Sequence, residues 1–459
     1  MALVAPNIDG TRTCSLYINL IRHNILRFDC STEISMESAH TSETDFMSNL
    51  PEDLLLHIIR LSSMKARAAV QTCTISKRWK HLWEFLPDLN FDLKEFNSGY
   101  SKQDNQKFSC FVTKMLEHRK TDILDKFRLS CVNLCKEQYG SSINKWTKYA
   151  IKHNVRILEL VVCICSVGTV LTDNVFACAS IEELHLHLSD CCRFGGTGKI
   201  NLPRLRKLQL HGQSLSNSDF IANLISGCPL LEELWLESFD ISSESTICSQ
   251  KLQHLTLKNC RWVYDLTINA PNLVSFCFFG SIHDLRWIVK QCGSISSLTI
   301  SGVSLHAGCY DFFSLKNILI NLSCLENLEI CVSKKIPPRS ESHSYYGIIN
   351  NLKKLSICGH SFDHFPFIWK YLPNLEKLTF WASCQHSHEH YPENKKWDDM
   401  LQRAVIEFKR LKVVEVVFAT FDDHKRKLVD DLRRLRDVEI ATSNRKLLTF
   451  QRRRVEEKL

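Results

Sequence analysis

Apolar and polar positions along this chain repeat one short signature, apolar-x-x-apolar-x-apolar. It begins at Val155 (VRILEL), Ile181 (IEELHL), Leu205 (LRKLQL), Leu231 (LEELWL), Leu252 (LQHLTL) and Leu273 (LVSFCF). It returns at Ile295 (ISSLTI), Leu325 (LENLEI), Leu352 (LKKLSI), Leu375 (LEKLTF), Leu411 (LKVVEV) and Leu435 (LRDVEI). The twelve hexamers start 21 to 36 residues apart. The apolar-x-apolar end of each predicts a short strand, because strand side chains alternate sides. Leu184 and Leu186 are then core residues, while His185 and His187 face outward. Between hexamers, segments such as Ser218 to Pro229 (SDFIANLISGCP) carry apolar residues at helical spacing, with Gly227 and Pro229 ending the helix. One such unit cannot bury its apolar face alone, so neighbours must stack.

The array resembles the leucine-rich repeat family, whose repeats run about 20–29 residues. The resemblance implies a solenoid with a parallel β-sheet on its concave face, a broad binding surface and not a catalytic cleft. The family expects Asn or Cys three residues after the last apolar position. Cys163 and Cys260 fit, whereas Gln213, Phe239, Ser281 and His360 do not, so the array is irregular. Outward positions include Gln209, His211, Trp235, Glu237, Thr256, Lys258, Cys277, Phe279, Thr299, Ser301, Glu329, Thr379 and Trp381. Of these, Trp235, Phe279 and Trp381 are candidate anchors for a bound substrate, because aromatic side chains dominate binding energy. Upstream, residues 89–96 and 126–131 predict strands and residues 108–119 and 142–154 predict helices, as N-terminal capping units.

A different pattern precedes the array. In "LPEDLLLHIIRL", Pro51 suits a helix start and Glu52 and Asp53 favour its positive end. Leu54, Leu55, Ile58, Ile59 and Leu61 make a broad apolar face. A second short helix is predicted over Ala66 to Thr72, and a third, capped by Ser76, carries Trp79, Leu82 and Trp83. Three short helices bury little surface, so the unit should prefer a partner. "LPEDLLLHIIRL" followed by "AAVQTCTISKRWKHLW" resembles the F-box of plant F-box proteins, with Lys65 standing where that family usually has proline. Residues from about Glu407 weakly resemble the FBD tail common among them, read as strand, helix, strand.

Composition narrows the picture. The formal charge of +8 is mostly C-terminal: residues 395–459 hold 18 Lys and Arg against 12 Asp and Glu. The bases there are interspersed with acids, which reads as a solvated helix face and not a nucleic-acid site. The longest uncharged apolar run, Leu160 to Leu171, is shorter than the roughly 20 residues that cross a bilayer. No export signal is recognised, so the chain is read as intracellular, in nucleus or cytoplasm. The 21 cysteines are scattered without a CxxC pair and read as small hydrophobes. "FGGTGK" (Phe194 to Lys199) lacks the Gly and Ser/Thr of a phosphate loop. Cys384, His386, His388 and His390 alternate in "CQHSHEH" but match no metal spacing, and neither metal nor cofactor is expected.

These readings give an α/β chain: a small three-helix F-box, then an irregular leucine-rich-repeat solenoid. Residues 1–44 are expected to be a disordered tail or a gene-model extension, 45–90 the F-box, 91–400 the solenoid with its caps, and 401–459 the last repeats and FBD-like tail. The resemblance implies a non-catalytic substrate receptor of an SCF-type cullin–RING ubiquitin ligase. Its F-box would bind the Skp-family adaptor, and through it cullin and the RING protein. The repeats would bind a protein target. Adaptor contacts would come from Leu50, Pro51, Leu54, Leu55, Ile58, Ile59, Val70, Trp79, Leu82 and Trp83, shared with the module's own core. A binding scaffold or small-molecule sensor that directs no degradation is the alternative.

Overall fold

The computed structural model describes residues 50–62, 64–96, 102–132, 138–163, 169–171, 173–188, 192–194, 200–212, 220–239, 241, 245–260, 266–280, 292–303, 322–332, 349–358, 372–381, 410–417, 438–443 and 447–452. They fall into two compact units, one ending at Leu205 and the other beginning at Arg206.

The first unit opens with α1 (Glu52–Leu61) and α2 (Ala66–Gln71). Pro51 is the N-cap of α1, and its carbonyl accepts from the amides of Leu54 and Leu55. Three 3-10 turns follow: Thr72–Thr74, Lys77–Trp79 and Leu82–Phe85. The predicted third helix is therefore two single 3-10 turns, and the Ser76 side chain makes no capping hydrogen bond. Trp79 and Leu82 lie three apart, a spacing that 3-10 turns serve as well as an α-helix. The chain then alternates β1 (Asp88–Asp92), α3 (Lys102–Glu117), β2 (Lys126–Val132), α4 (Gln138–Lys152) and β3 (Ile157–Cys163). After β4 (Thr169–Leu171) come β5 (Glu183–Leu188) and β6 (Cys192–Phe194).

Strands β1, β2, β3 and β5 pair in parallel and in register. Register stacks the apolar positions into two rows, Leu89–Phe127–Leu158–Leu184 and Phe91–Leu129–Leu160–Leu186, all at most 2% exposed. Each such side chain contributes about 1.5–3 kcal/mol on burial. Helix α3 supplies the covering layer: Phe111 meets Phe91 edge-on at 6.3 Å, and Phe108 meets Trp146 of α4 perpendicularly at 6.1 Å.

The second unit runs β7 (Lys207–His211), α5 (Phe220–Gly227), β8 (Glu233–Glu237), β9 (Thr246–Cys248), β10 (His254–Lys258), β11 (Thr267–Asn269) and β12 (Ser275–Phe279). It continues through β13 (Ser297–Val303), β14 (Asn327–Val332), β15 (Lys354–Cys358), β16 (Lys377–Trp381) and β17 (Val413–Val417). From β7 to β17, the strands formed by successive hexamers pair in parallel. Strands β9 and β11 form a separate parallel pair. Two buried rows again run along the sheet, one beginning Leu208–Leu234–Leu255–Phe276–Leu298 and the other Leu210–Leu236–Leu257–Phe278–Ile300. The first apolar residue of each described hexamer, such as Leu231, Leu252, Leu273 and Leu325, is buried as well.

The twelfth hexamer departs from expectation. It forms β18 (Val438–Ser443), but β18 does not pair with β17. Strand β19 (Leu447–Arg452) lies between them, antiparallel to both. Only residues 444–446 separate β18 from β19, a length that makes a hairpin and so forces antiparallel pairing. The helix expected in the tail that follows Glu407 and the alternating Cys384/His segment lie outside the described residues.

Charge is ordered at the strand entries. Arg156 bonds Glu182 at 2.8 Å, and in the second unit Arg206 bonds Glu232 at 2.7 Å, Lys353 bonds Glu326 at 2.7 Å and Lys412 bonds Glu376 at 2.8 Å. Backbone bonds run the same way, from Lys353 N to Glu326 O, Glu376 N to Lys353 O and Lys412 N to Glu376 O. The bond to Glu326 raises the Lys353 ammonium above its ordinary value, and the bond from Lys412 lowers Glu376.

Candidate functional surfaces

The N-terminal helices divide their apolar residues between two faces. Leu55, Ile58, Ile59 and Ser62 follow the i, i+3, i+4, i+7 spacing of one helix face and are buried. Trp79 is fully buried and Leu82 is 4% exposed. Among the proposed contact residues, Pro51 and Leu54 are exposed, and Leu50, Val70 and Trp83 are half-buried. Three further apolar residues reach solvent here: Leu61, Ile75 and Phe85, each more than 40% exposed. Leu54, His57 and Leu61 follow i, i+3, i+7 along α1, so a second stripe beside the buried one was readable from the sequence.

Charged and polar bonds fasten this module to the rest of the first unit. Arg60, at the end of α1, bonds Asp88 at 2.9 Å and Asp125 at 2.7 Å, at the entries of β1 and β2. Lys65 bonds Asp92 at 2.7 Å. Burial pushes the Asp92 carboxyl up, but the bonds from Lys65 and the Lys94 amide outweigh it and leave the group below its ordinary value. Glu84 behaves alike: burial raises it, and bonds from Lys120 (2.6 Å) and His81 (2.7 Å) bring it below. Arg67 donates to the Glu95 main-chain carbonyl and lies over the Phe96 ring, 4.9 Å from its centre. The Glu95 carboxyl sits half-buried nearby and is pushed up to about 7 by burial.

The sheet face opposite the core is the second surface. In the first unit Arg128 bridges Glu159 (2.6 Å) and Asn90 (3.3 Å) across neighbouring strands. His185 is half-buried and His187 exposed, as the alternation predicts. In the second unit Trp235 and Phe279 are half-buried on this face. The Trp235 Nε1–H donates to Glu237 at 3.3 Å, and Glu237 also meets Lys258 at 2.8 Å. Trp381 is the last residue of β16, as Phe279 is of β12, and is in register with Cys358 and Val417. Two residues expected to face solvent do not: Ser301 and Thr379 are buried. The register shifts beside Ser301, between it and Val303, and the Thr379 hydroxyl bonds Glu415 at 3.2 Å.

The thiols on the core side are packing groups. Cys228 is raised to about 12 and Cys292 to about 11 by burial, which keeps them protonated. Cys260, at the repeat position where Asn or Cys is expected, donates Sγ–H to the Leu236 carbonyl of the preceding repeat at 3.4 Å. Phe239 fills the equivalent place by burial instead. Among the described residues, no group of three or more His, Cys, Asp or Glu side chains is placed to hold a metal ion, and no helix is long and apolar enough to cross a membrane. The sheet faces thus offer charged, hydroxyl and aromatic groups at the strand spacing of about 4.8 Å.

Comparison with known proteins agrees with this architecture. Residues 143–304, from within α4 to just past β13, match the family described as FBD-associated F-box protein At5g56370, LRR repeats. The F-box/FBD/LRR-repeat protein At3g52680 of Arabidopsis thaliana is 30% identical over 61% of this chain and 61% of its own length. The F-box/LRR-repeat protein At3g59210 of the same plant is 26% identical over 73% of each chain. A third, the F-box/FBD/LRR-repeat protein At2g04230, is 27% identical over 77% of this chain and 78% of its own. The match therefore spans about six tenths of the first of these relatives. The chain is a homologue of plant F-box/FBD/LRR-repeat proteins, with the leucine-rich-repeat architecture seen in its sheets.

Proposed function

We propose that this chain is the substrate-recognition subunit of an SCF-type cullin–RING ubiquitin ligase and performs no bond chemistry of its own. Its N-terminal helices dock on the Skp-family adaptor, and its sheet faces hold a target protein. Proximity is then its whole contribution, placing the target near the ubiquitin-loaded enzyme. The relatives carry the F-box in their names, which supports the module's identity. The observation that carries the reading is the apolar stripe of Pro51, Leu54 and Leu61, left in solvent by helices whose core is already filled by Leu55, Ile58, Ile59 and Trp79. Exposed apolar groups of this kind on a small module mark a protein contact.

The test is capture of a purified plant Skp adaptor by the full chain. Leu54→Glu should abolish capture without shifting the thermal midpoint, because Leu54 is 49% exposed. Unchanged capture by Leu54→Glu, or no capture by the wild type, refutes the proposal.

A further inference from the structure

Seven carboxylates on the described strands come with basic partners. In the first unit Asp88 bonds Arg60, Asp92 bonds Lys65, Glu159 bonds Arg128, and Glu183 lies 3.6 Å from His185. In the second, Glu233 bonds Lys207, Glu237 bonds Lys258 and Glu415 bonds Lys377, each at 2.8 Å. Glu329 differs. It sits in the middle of β14, half-buried, in register with Thr299 on one side and Ser356 on the other. No hydrogen bond or ion pair joins its carboxylate to another described residue. The next residues in its row are Cys277 and Thr379, so its own row holds no cation within two strands on either side. Lys354 is in register with Asn327, two residues before Glu329, and is exposed to solvent.

A half-buried carboxylate without a partner loses hydration and gains nothing in return. Burial alone holds Glu329 above its ordinary value. The complement missing from its own sheet must come from what binds there, and a negative group in a row of hydroxyls and a thiol selects against phosphate and for a cation. We infer that Glu329 seats a lysine or arginine side chain of the protein held by the repeats. The inference rests on the receptor reading above and adds a chemical requirement for the target: a basic residue at the point of contact with β14.

The experiment uses the full chain and an immobilised library of short peptides scanned at each position. Lysine and arginine are compared there with acetyl-lysine and citrulline, which keep length but lose charge. The wild type should retain peptides with a basic residue at one fixed position, on the order of ten-fold over the uncharged counterparts. Glu329→Gln should erase that preference, and Glu326→Gln, at the entry of the same strand but off this face, should keep it. Equal preference in Glu329→Gln, or retained peptides with no basic residue, overturns the inference and leaves the receptor reading standing. Retention of no peptide by the wild type overturns both. If Glu329→Gln does not fold, Glu329→Asp decides: a reduced preference supports the seat, and an unchanged one overturns it.

Discussion

Glu95 carries a stability cost that pH should switch. Its carboxyl follows β1 in the 3-10 turn Leu93–Glu95, beside the contact between the N-terminal helices and the sheet. The two cations nearby are engaged elsewhere: Lys65 with Asp92 and Arg67 with the Glu95 carbonyl and the Phe96 ring. Burial therefore dominates and moves the group from 4.5 to about 7. A folded-state value raised above the unfolded one means that the folded chain holds a proton the unfolded chain has released. Stability from this group is then greatest below about pH 4.5 and falls as pH rises to about 7, with the full cost above. A shift of this size corresponds to about 3 kcal/mol, which water access to the half-buried group reduces to about 1–2 kcal/mol. Glu95→Gln should recover that amount at pH 8 and almost none at pH 5. Amide hydrogen exchange in peptides covering residues 66–71 and 88–96 reads the local opening free energy without assuming two-state unfolding of the whole chain. An equal gain at both pH values, or a loss at pH 8, would refute the assignment of burial as the cause.

Three further outcomes follow from the packing. Trp79→Ala empties a fully buried site and should cost about 3–5 kcal/mol, seen as loss of exchange protection across α1 and α2. Gly280→Ala places a methyl 2.7 Å from the buried Phe278 ring and should cost about 1–3 kcal/mol, read by the same exchange measurement in β12. Lys65→Met should destabilise the first unit at neutral pH more than at pH 3. The Asp92 carboxyl is held low, so its stabilisation is present above the unfolded value of about 3.9 and is lost as pH falls.

The strands were legible because each hexamer states its alternation locally, and Leu184, Leu208 and Leu255 are buried where that alternation puts them. Partner choice was not. The Leu435 hexamer looks like the other eleven, and nothing inside it says that β19 will take the place beside β17. The N-terminal module was legible in α1, where ten residues show a helical stripe, and less so around Trp79, where spacing of three fits two helix types. The solitude of Glu329 was invisible in sequence. Whether an outward carboxylate has a cation depends on residues 30 positions upstream and 27 downstream, brought alongside only by register.

The alternating charges at the strand entries bear on how the array avoids misassembly. Parallel repeats with similar apolar rows can in principle stack out of turn, one repeat skipping its neighbour. Along Glu326, Lys353, Glu376 and Lys412, a skipped repeat would set Glu326 against Glu376 or Lys353 against Lys412. Correct succession meets opposite charge at every step, and a slip of one unit meets like charge. The leucine rows drive collapse without regard to order. Over these four entries the exposed edge adds a parity check, so that their order is marked by charge as well as by packing.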